Sequence, residues 1–334
     1  MPKDAWFTPA TLRLFQEHTG AEDPADYYGF EHRNVGLAPT RCQHDFSPYH
    51  PPDLPPDTAV GEWGTAYVPS AYHHFHRYVW PMASLSDPTP EDIERYPWPD
   101  VEEAYRYEHL PEETRRLQEA GYFVVGTVGH GGWEQACYLR GILGLCRDLH
   151  ESPAFVEALL DRLCSLECQI AAGLAHAGVD MVWLSGDVGL QDRLMISPAH
   201  FRRWVKPHLC RVIEAARRAQ PGVFIGLHEC GYVEPLIPDF IEAGVDALHP
   251  IQPESMDPFS IKRNWGDALT LWGTIGAQSV MPFGTPADVR EAVRRSIGEL
   301  GRDGGLWIAP SQALLPEVPW PNIEAFFAAV EEFG

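Results

Sequence analysis

From residue 122 onward the chain reads as short apolar runs rich in β-branched and aromatic residues, separated by longer stretches with the spacing of amphipathic helices. That alternation is the sequence form of repeated βα units on a parallel sheet. The runs fall at 122–128, 181–186, 223–230, 247–251, 269–275 and 306–310. Ser197-Pro198 supplies an N-cap and a first-turn proline for a helix reaching about Ala219, and Thr285-Pro286 does the same for a helix stopped by Gly301.

Before residue 120 the periodicity is weak. Prolines, aromatics and acidic residues crowd together, and the run Pro51-Pro52-Asp53-Leu54-Pro55-Pro56 breaks regular structure. Gly61 to Val68 has the composition of a hairpin, and Thr89-Pro90 starts a capped helix. The expected fold class is therefore α/β, a (β/α)8 TIM barrel with an irregular N-terminal extension: residues 1–120 cover the barrel, residues 121–334 form its main part, and both make one domain. Six strands are visible, so eight require two more from the first half, or else another α/β arrangement.

Charge narrows the partners. Lysine and arginine total 25 against 47 aspartates and glutamates, a formal charge of −22, which repels phosphate backbones and anionic lipid surfaces. No apolar run is long enough to span a bilayer, and Met1-Pro2-Lys3-Asp4 begins neither a signal peptide nor a lipidation motif, so a cytoplasmic location is expected. The seven cysteines, scattered and odd in number, do not suggest a disulfide framework, and Cys164 and Cys168 read as buried helix residues.

The chemistry concentrates at strand ends. In Val223 to Cys230, the two-residue period puts Gly226, His228 and Cys230 on one face, with Ile225, Leu227 and Glu229 on the other. Apolar Ile225 and Leu227 suit the outer helices, which turns His228 and Cys230 inward at the C-terminal end of a barrel strand, where such barrels place reactive groups. An imidazole and a thiolate can both ligate Zn2+, while a buried cysteine beside a backbone-bonded histidine is the alternative. Asp187 and Gln191 emerge after the strand ending at Gly186, His249 and Gln252 end the next strand after His228, and Gln312 ends the last. Asp187 is a catalytic candidate or a turn cap; Gln191, His249, Gln252 and Gln312 are candidate substrate contacts. Gly129-His130-Gly131-Gly132 lets a substrate approach the backbone but lacks the lysine of a phosphate loop. Trp133 lies at the mouth or packs in a helix. His73, His74 and His76 look metal-like, yet neighbouring strand residues point to opposite faces, which favours a polar aromatic hairpin.

Several blocks in order resemble the uroporphyrinogen decarboxylase superfamily, which also contains cobalamin-dependent methyltransferases. They are Ser185-Gly186-Asp187 with Gln191-Asp192, Ile196-Ser197-Pro198, Leu227-His228-Glu229-Cys230-Gly231, Gly244-Val245-Asp246, Gln252-Pro253, Trp272-Gly273 and Pro319-Trp320-Pro321-Asn322. The likeness covers roughly residues 120–334. It implies a (β/α)8 barrel and, as in the superfamily's thiol methyltransferases, zinc held by the His-x-Cys pair at His228 and Cys230 with a later cysteine. That cysteine position falls on Gln312, where the decarboxylases carry a histidine. The arginine-rich N-terminal motif of uroporphyrinogen decarboxylases is also missing, and Glu31-His32-Arg33-Asn34 does not replace it.

The resulting expectation is a zinc-dependent methyltransferase or demethylase-like enzyme acting on a small molecule. Asp187, His228 and Cys230 would be catalytic, His228 and Cys230 would bind zinc, and a cobalamin would arrive on a partner corrinoid protein. The alternatives are a metal-free decarboxylase-like lyase centred on Asp187, with uroporphyrinogen itself disfavoured as substrate, and a barrel that binds a small molecule without turnover.

Overall fold

The computed structural model describes residues 1–70 and 76–334. Among the described residues the strands in chain order are β1 (His32–Val35), β2 (Ala59–Val60), β3 (Ala66–Pro69), β4 (His76–Val79), β5 (Phe123–His130), β6 (Met181–Ser185), β7 (Phe224–His228), β8 (Ala247–His249), β9 (Thr270–Trp272) and β10 (Leu306–Trp307). Seven of them form one curled parallel sheet in the order β1-β5-β6-β7-β8-β9-β10. The six apolar runs read from the sequence correspond to β5 to β10. The helices between them, including Pro153–His176, Lys206–Ala219 and Pro286–Leu300, cover the outer face.

The seventh strand, β1, comes from the stretch that lacked periodicity. Its sequence, His-Arg-Asn-Val, carries no alternation of apolar and polar residues, because His32 turns inward onto the rings of Trp272 and Trp307 while Arg33 lies over Tyr122. At the other edge, Lys3 forms a parallel bridge to Ile308, with Asp4 N–H donating to the Ile308 carbonyl at 3.1 Å. Side chains link this N-terminal segment to β1: the Lys3 N–H donates to Glu31 Oε2 at 3.0 Å, and Asp4 lies 3.8 Å from His32 Nε2. The expected hairpin appears as β2 and β3, joined antiparallel and extended by β4. His73 and His74 lie outside the described residues, whereas His76 begins β4.

Two layers of apolar packing place the site. Ile225, Leu227 and Leu248 join the large core between sheet and helices, with Ile213 and Phe240. Inside the curl a separate cluster holds Val125, Met181, Trp183, Ala247, Trp272, Trp307 and Ala309. Trp272 and Trp307 stack there with centroids 3.9 Å apart. A Cβ at Gly226 would sit 2.7 Å from the Trp183 ring, so only glycine leaves room for that indole. Aromatic rings thus line much of the interior below the site.

The capped helix starts at Ser197 and Thr285 are present, the second as a full capping box. A π-helical turn, Phe201–Val205, interrupts the first of these helices before Lys206–Ala219, a detail the cap could not announce. No described helix is long and apolar enough to cross a membrane.

Buried ionisable groups give stability a pH dependence. Burial pushes the Glu167 carboxyl up to about 8, although it accepts the Gly132 N–H. Unfolded, this group ionises near 4.5, so unfolding releases a proton between these values and stability falls as pH rises through them. His32, pushed down by burial to about 4 from 6.5, acts oppositely, but its contribution is complete by pH 6.5. Glu229, also raised to about 8, and Asp4, raised to about 7, act in the same direction as Glu167, so the melting temperature of the metal-free protein should fall between pH 6.5 and 8, and Glu167→Gln should lessen that fall without abolishing it in thermal scans across the window.

Candidate active site and metal centre

β7 carries His228 to the mouth of the curl at the same level as Ser185 on β6 and His249 on β8. The two imidazoles meet through their Nδ1 atoms at 2.8 Å. Burial, reinforced by the neighbouring His228, holds His249 well below the usual histidine range, so it stays neutral. One Nδ1 must then donate and the other accept. With the proton on His228 Nδ1, the His228 Nε2 lone pair turns toward Cys230 Sγ at 3.2 Å and Asp187 Oδ1 at 3.8 Å. Trp6, from the N-terminal segment, lies over both histidines at centroid distances of 5.7 and 5.1 Å.

Asp187 reaches this point through an unusual backbone. It is the one non-glycine residue of positive φ among those described, at 93°. Glu229 holds it there. The Glu229 side chain points away from the interior, as strand alternation requires, and its Oε2 accepts the N–H groups of Asp187 and Val188, both at 2.8 Å. A Cβ on Gly186 would stand 1.9 Å from Glu229 Oε1, so the Ser185-Gly186-Asp187 turn needs its glycine. Cys230 N–H in turn donates to Asp187 Oδ1 at 2.9 Å. Burial raises the Asp187 carboxyl and the Cys230 thiol above their ordinary values, while His228 pulls Asp187 back down.

One oxygen, one nitrogen and one sulfur thus converge: ligand atoms of Asp187, His228 and Cys230 all lie within 4.8 Å of one another. This mixed donor set suits a borderline-soft divalent ion with an open coordination position, and zinc accepts all three atom types. His249 supplies the outer hydrogen bond that ligating histidines commonly have. The residues present fit the metal.

The other predicted site residues are distributed differently. Gln312 comes to the cluster, its amide donating to Cys230 Sγ at 3.4 Å. Gln191 sits at the rim and ties its loop to the Glu254 carbonyl and the Ser255 hydroxyl. Gln252 is buried and accepts the Gly231 N–H at 3.2 Å, bracing the turn after Cys230. Trp133 is not brought to the mouth: it is buried in the core behind the sheet, its indole N–H on Met195 Sδ. Two residues escaped the sequence reading. Trp6 lies far away in sequence, and Glu134, which accepts from Ser185 Oγ at 2.6 Å, sits in the helix after the glycine run. Only the glycine turn at its N-terminus signalled that a side chain there could reach a strand end.

Two substitutions at Asp187 expose its backbone strain. Asp187→Gly and Asp187→Ala both remove the carboxylate, but only glycine adopts the positive φ without penalty. Urea unfolding should find the glycine variant more stable than the alanine variant by about 1–2 kcal/mol, with neither binding zinc.

The sequence model of the family described as uroporphyrinogen decarboxylase (URO-D) matches residues 75–333. A methylcobamide:CoM methyltransferase, MtaA, from Methanosarcina barkeri is 26% identical over 177 residues, 53% of this chain and 49% of that protein. A uroporphyrinogen decarboxylase from Thermus thermophilus is 26% identical over 187 residues, 55% of this chain and 50% of the relative. The chain thus matches about half the length of these curated relatives. Among solved structures, a methyltransferase from Methanosarcina mazei superposes with a TM-score of 0.63 at 19% identity, covering 97% of this chain and 84% of the other, which places the two in one fold.

Proposed function

This chain belongs to the uroporphyrinogen decarboxylase family, and on that premise we propose that it is a zinc-dependent methyltransferase or demethylase-like enzyme acting on a small molecule. The observation that carries this reading is the convergence of Asp187, His228 and Cys230 within 4.8 Å at the open end of the sheet. The likeness to a methyltransferase fold and to a relative named for methylcobamide supports a corrinoid methyl donor presented by a partner protein. A complete (β/α)8 barrel, with the segment around Lys3 in the eighth position, and a cytoplasmic location belong to the same reading.

His228 Nε2, Cys230 Sγ and an Asp187 oxygen would hold the zinc. When bound, zinc supplies Lewis acidity that brings the pKa of an adjacent thiol or water toward neutrality. The protein groups do the positioning. His249 fixes the His228 ring, Glu229 fixes the backbone that presents Asp187, and the Gln312 amide donates to the Cys230 sulfur. Trp6 and Trp183 flank the histidine pair and keep one side of the cluster apolar, which strengthens electrostatic effects there. Elemental analysis of protein purified without added zinc should find about one zinc per chain, as a single set of three protein ligands with one open position implies. A protein free of bound metal would end this proposal.

The Asp187 geometry favours one second reading, a metal-free decarboxylase-like lyase. Its carboxyl is raised by burial and held in a strained backbone, as an acid poised to share a proton is held. In that case Asp187→Asn abolishes turnover of a carboxylated substrate while Cys230→Ser leaves it intact.

A further inference from the structure

Below the three converging ligand atoms lies a second polar feature that zinc chemistry does not use. A cleft of about 170 Å³ runs into the interior of the sheet, lined by Asp4, Trp6, His32, Asn34, Val125, Thr127, Trp183 and Trp272. Asn34 and Trp6 are its exposed members, so it opens to solvent beside them. Its depth is set by register. Thr127 pairs with Trp183 on β6, two residues before Ser185, which shares the level of His228. Two residues of strand correspond to roughly 7 Å, a distance that one small molecule bridges.

The lining has unspent hydrogen-bonding capacity. Asp4, 3% exposed, accepts from the Trp6 indole at 3.0 Å, and its other oxygen stands 3.8 Å from His32 Nε2, beyond hydrogen-bond length. Among the described residues, His32 Nδ1 and Trp272 Nε1 are buried without a partner, and both residues line this cleft. An orphaned polar atom in the interior costs about 1–3 kcal/mol, and two residues that carry one line this cleft beside a buried carboxyl. The indole N–H asks for an acceptor and Asp4 for a donor. The described lining contains a carboxyl and no arginine or lysine, which makes it hostile to an anion.

We propose that this cleft is a substrate subsite that takes a small uncharged or cationic molecule carrying a hydroxyl or protonated amino group, and that it rejects carboxylates. The proposal rests on the methyl-transfer reading above and names the class of small molecule that reaches the metal-competent cluster. Asp4 receives the donor, Trp272 and Thr127 hold the acceptor, and Trp6, bonded to Asp4, stacked on His228 and tilted against His249, connects the two sites.

The test uses the full chain and a matched pair of probes, ethanolamine and glycolate, with tryptophan fluorescence as readout because Trp6, Trp183 and Trp272 line the cleft. Ethanolamine should quench saturably and bind at least about tenfold tighter than glycolate, and Asp4→Asn should weaken it by about tenfold or more, a change of 1.4 kcal/mol. Thr127→Val, which keeps the strand intact, should weaken it less and carries the test if Asp4→Asn fails to fold. Equal binding of glycolate, no saturable response to ethanolamine, or unchanged affinity in both variants overturns the proposal. Zinc content is measured on the same samples. Protein lacking zinc that still binds ethanolamine through Asp4 would remove the methyl-transfer reading and leave the subsite standing.

Discussion

Cys230→Ser is expected to lower zinc affinity by more than about 100-fold, since changes to groups behind the ligands alone cost 10–100-fold. The sulfur is the softest donor in the cluster, and serine offers a hydroxyl that ionises far less readily than a thiol. Its backbone N–H still reaches Asp187 Oδ1, so the turn itself should persist. Competition with a chromophoric chelator measures the affinity, and thermal unfolding of the metal-free variant should match that of the metal-free parent. If both proteins hold zinc equally, Cys230 is a buried thiol and the centre is elsewhere. Methyl-transfer activity should fall with the metal, whereas a lyase would retain turnover.

Glu229→Ala should be the most damaging single change to stability around the site. The side chain is 2% exposed and accepts two backbone N–H groups, one of them from buried Val188. Leaving both unsatisfied costs about 1–3 kcal/mol each, so a loss of roughly 2–6 kcal/mol is expected in urea unfolding. Burial pushes the Glu229 carboxyl up to about 8, which makes it largely neutral at pH 7. Glutamine, with the same shape and a carbonyl oxygen in place of Oε2, should therefore restore most of the stability. If alanine and glutamine prove equally damaging, a carboxylate is required and the neutral assignment is wrong. The alanine variant should also bind zinc more weakly, because the backbone that presents Asp187 loses the carboxyl that fixes its two N–H groups.

The contrast between Glu229 and Trp6 shows how far the sequence could be read. Strand alternation turned His228 and Cys230 inward and Glu229 outward, because the two-residue period is fixed by the pleat itself. The same rule could not show that Glu229 grips the neighbouring loop, since that contact joins residues 42 apart. Gln312 shows a middle case. The order of motifs put it opposite the His-x-Cys pair, and its amide does meet Cys230 Sγ, but the missing soft ligand is not replaced from there. An Asp187 oxygen comes to the pair instead, and the spacing of Asp187 from His228 carried no such signal.

β1 failed for another reason. Hydrophobic periodicity reveals a strand when one face meets an apolar layer, but His32 and Asn34 line a polar cleft, so the segment looks like loop. For Trp133 the structure decides between the two readings: an aromatic beside a glycine turn packs into the core because its large apolar surface gains more there than at a mouth.

By itself, the sequence determined the six later strands, the helix caps, the face on which His228 and Cys230 lie, and a charge that disfavours anionic partners. These follow from local rules: pleat, helical period, cap chemistry and summed charge. Tertiary structure alone decided that an Asp187 oxygen meets His228 and Cys230, that His249 bonds His228, and that Trp6 and Asp4 return from the N-terminus to the heart of the sheet. Each of these depends on segments far apart in the chain meeting where parallel strands bring their C-terminal ends together, and no local pattern records such a meeting.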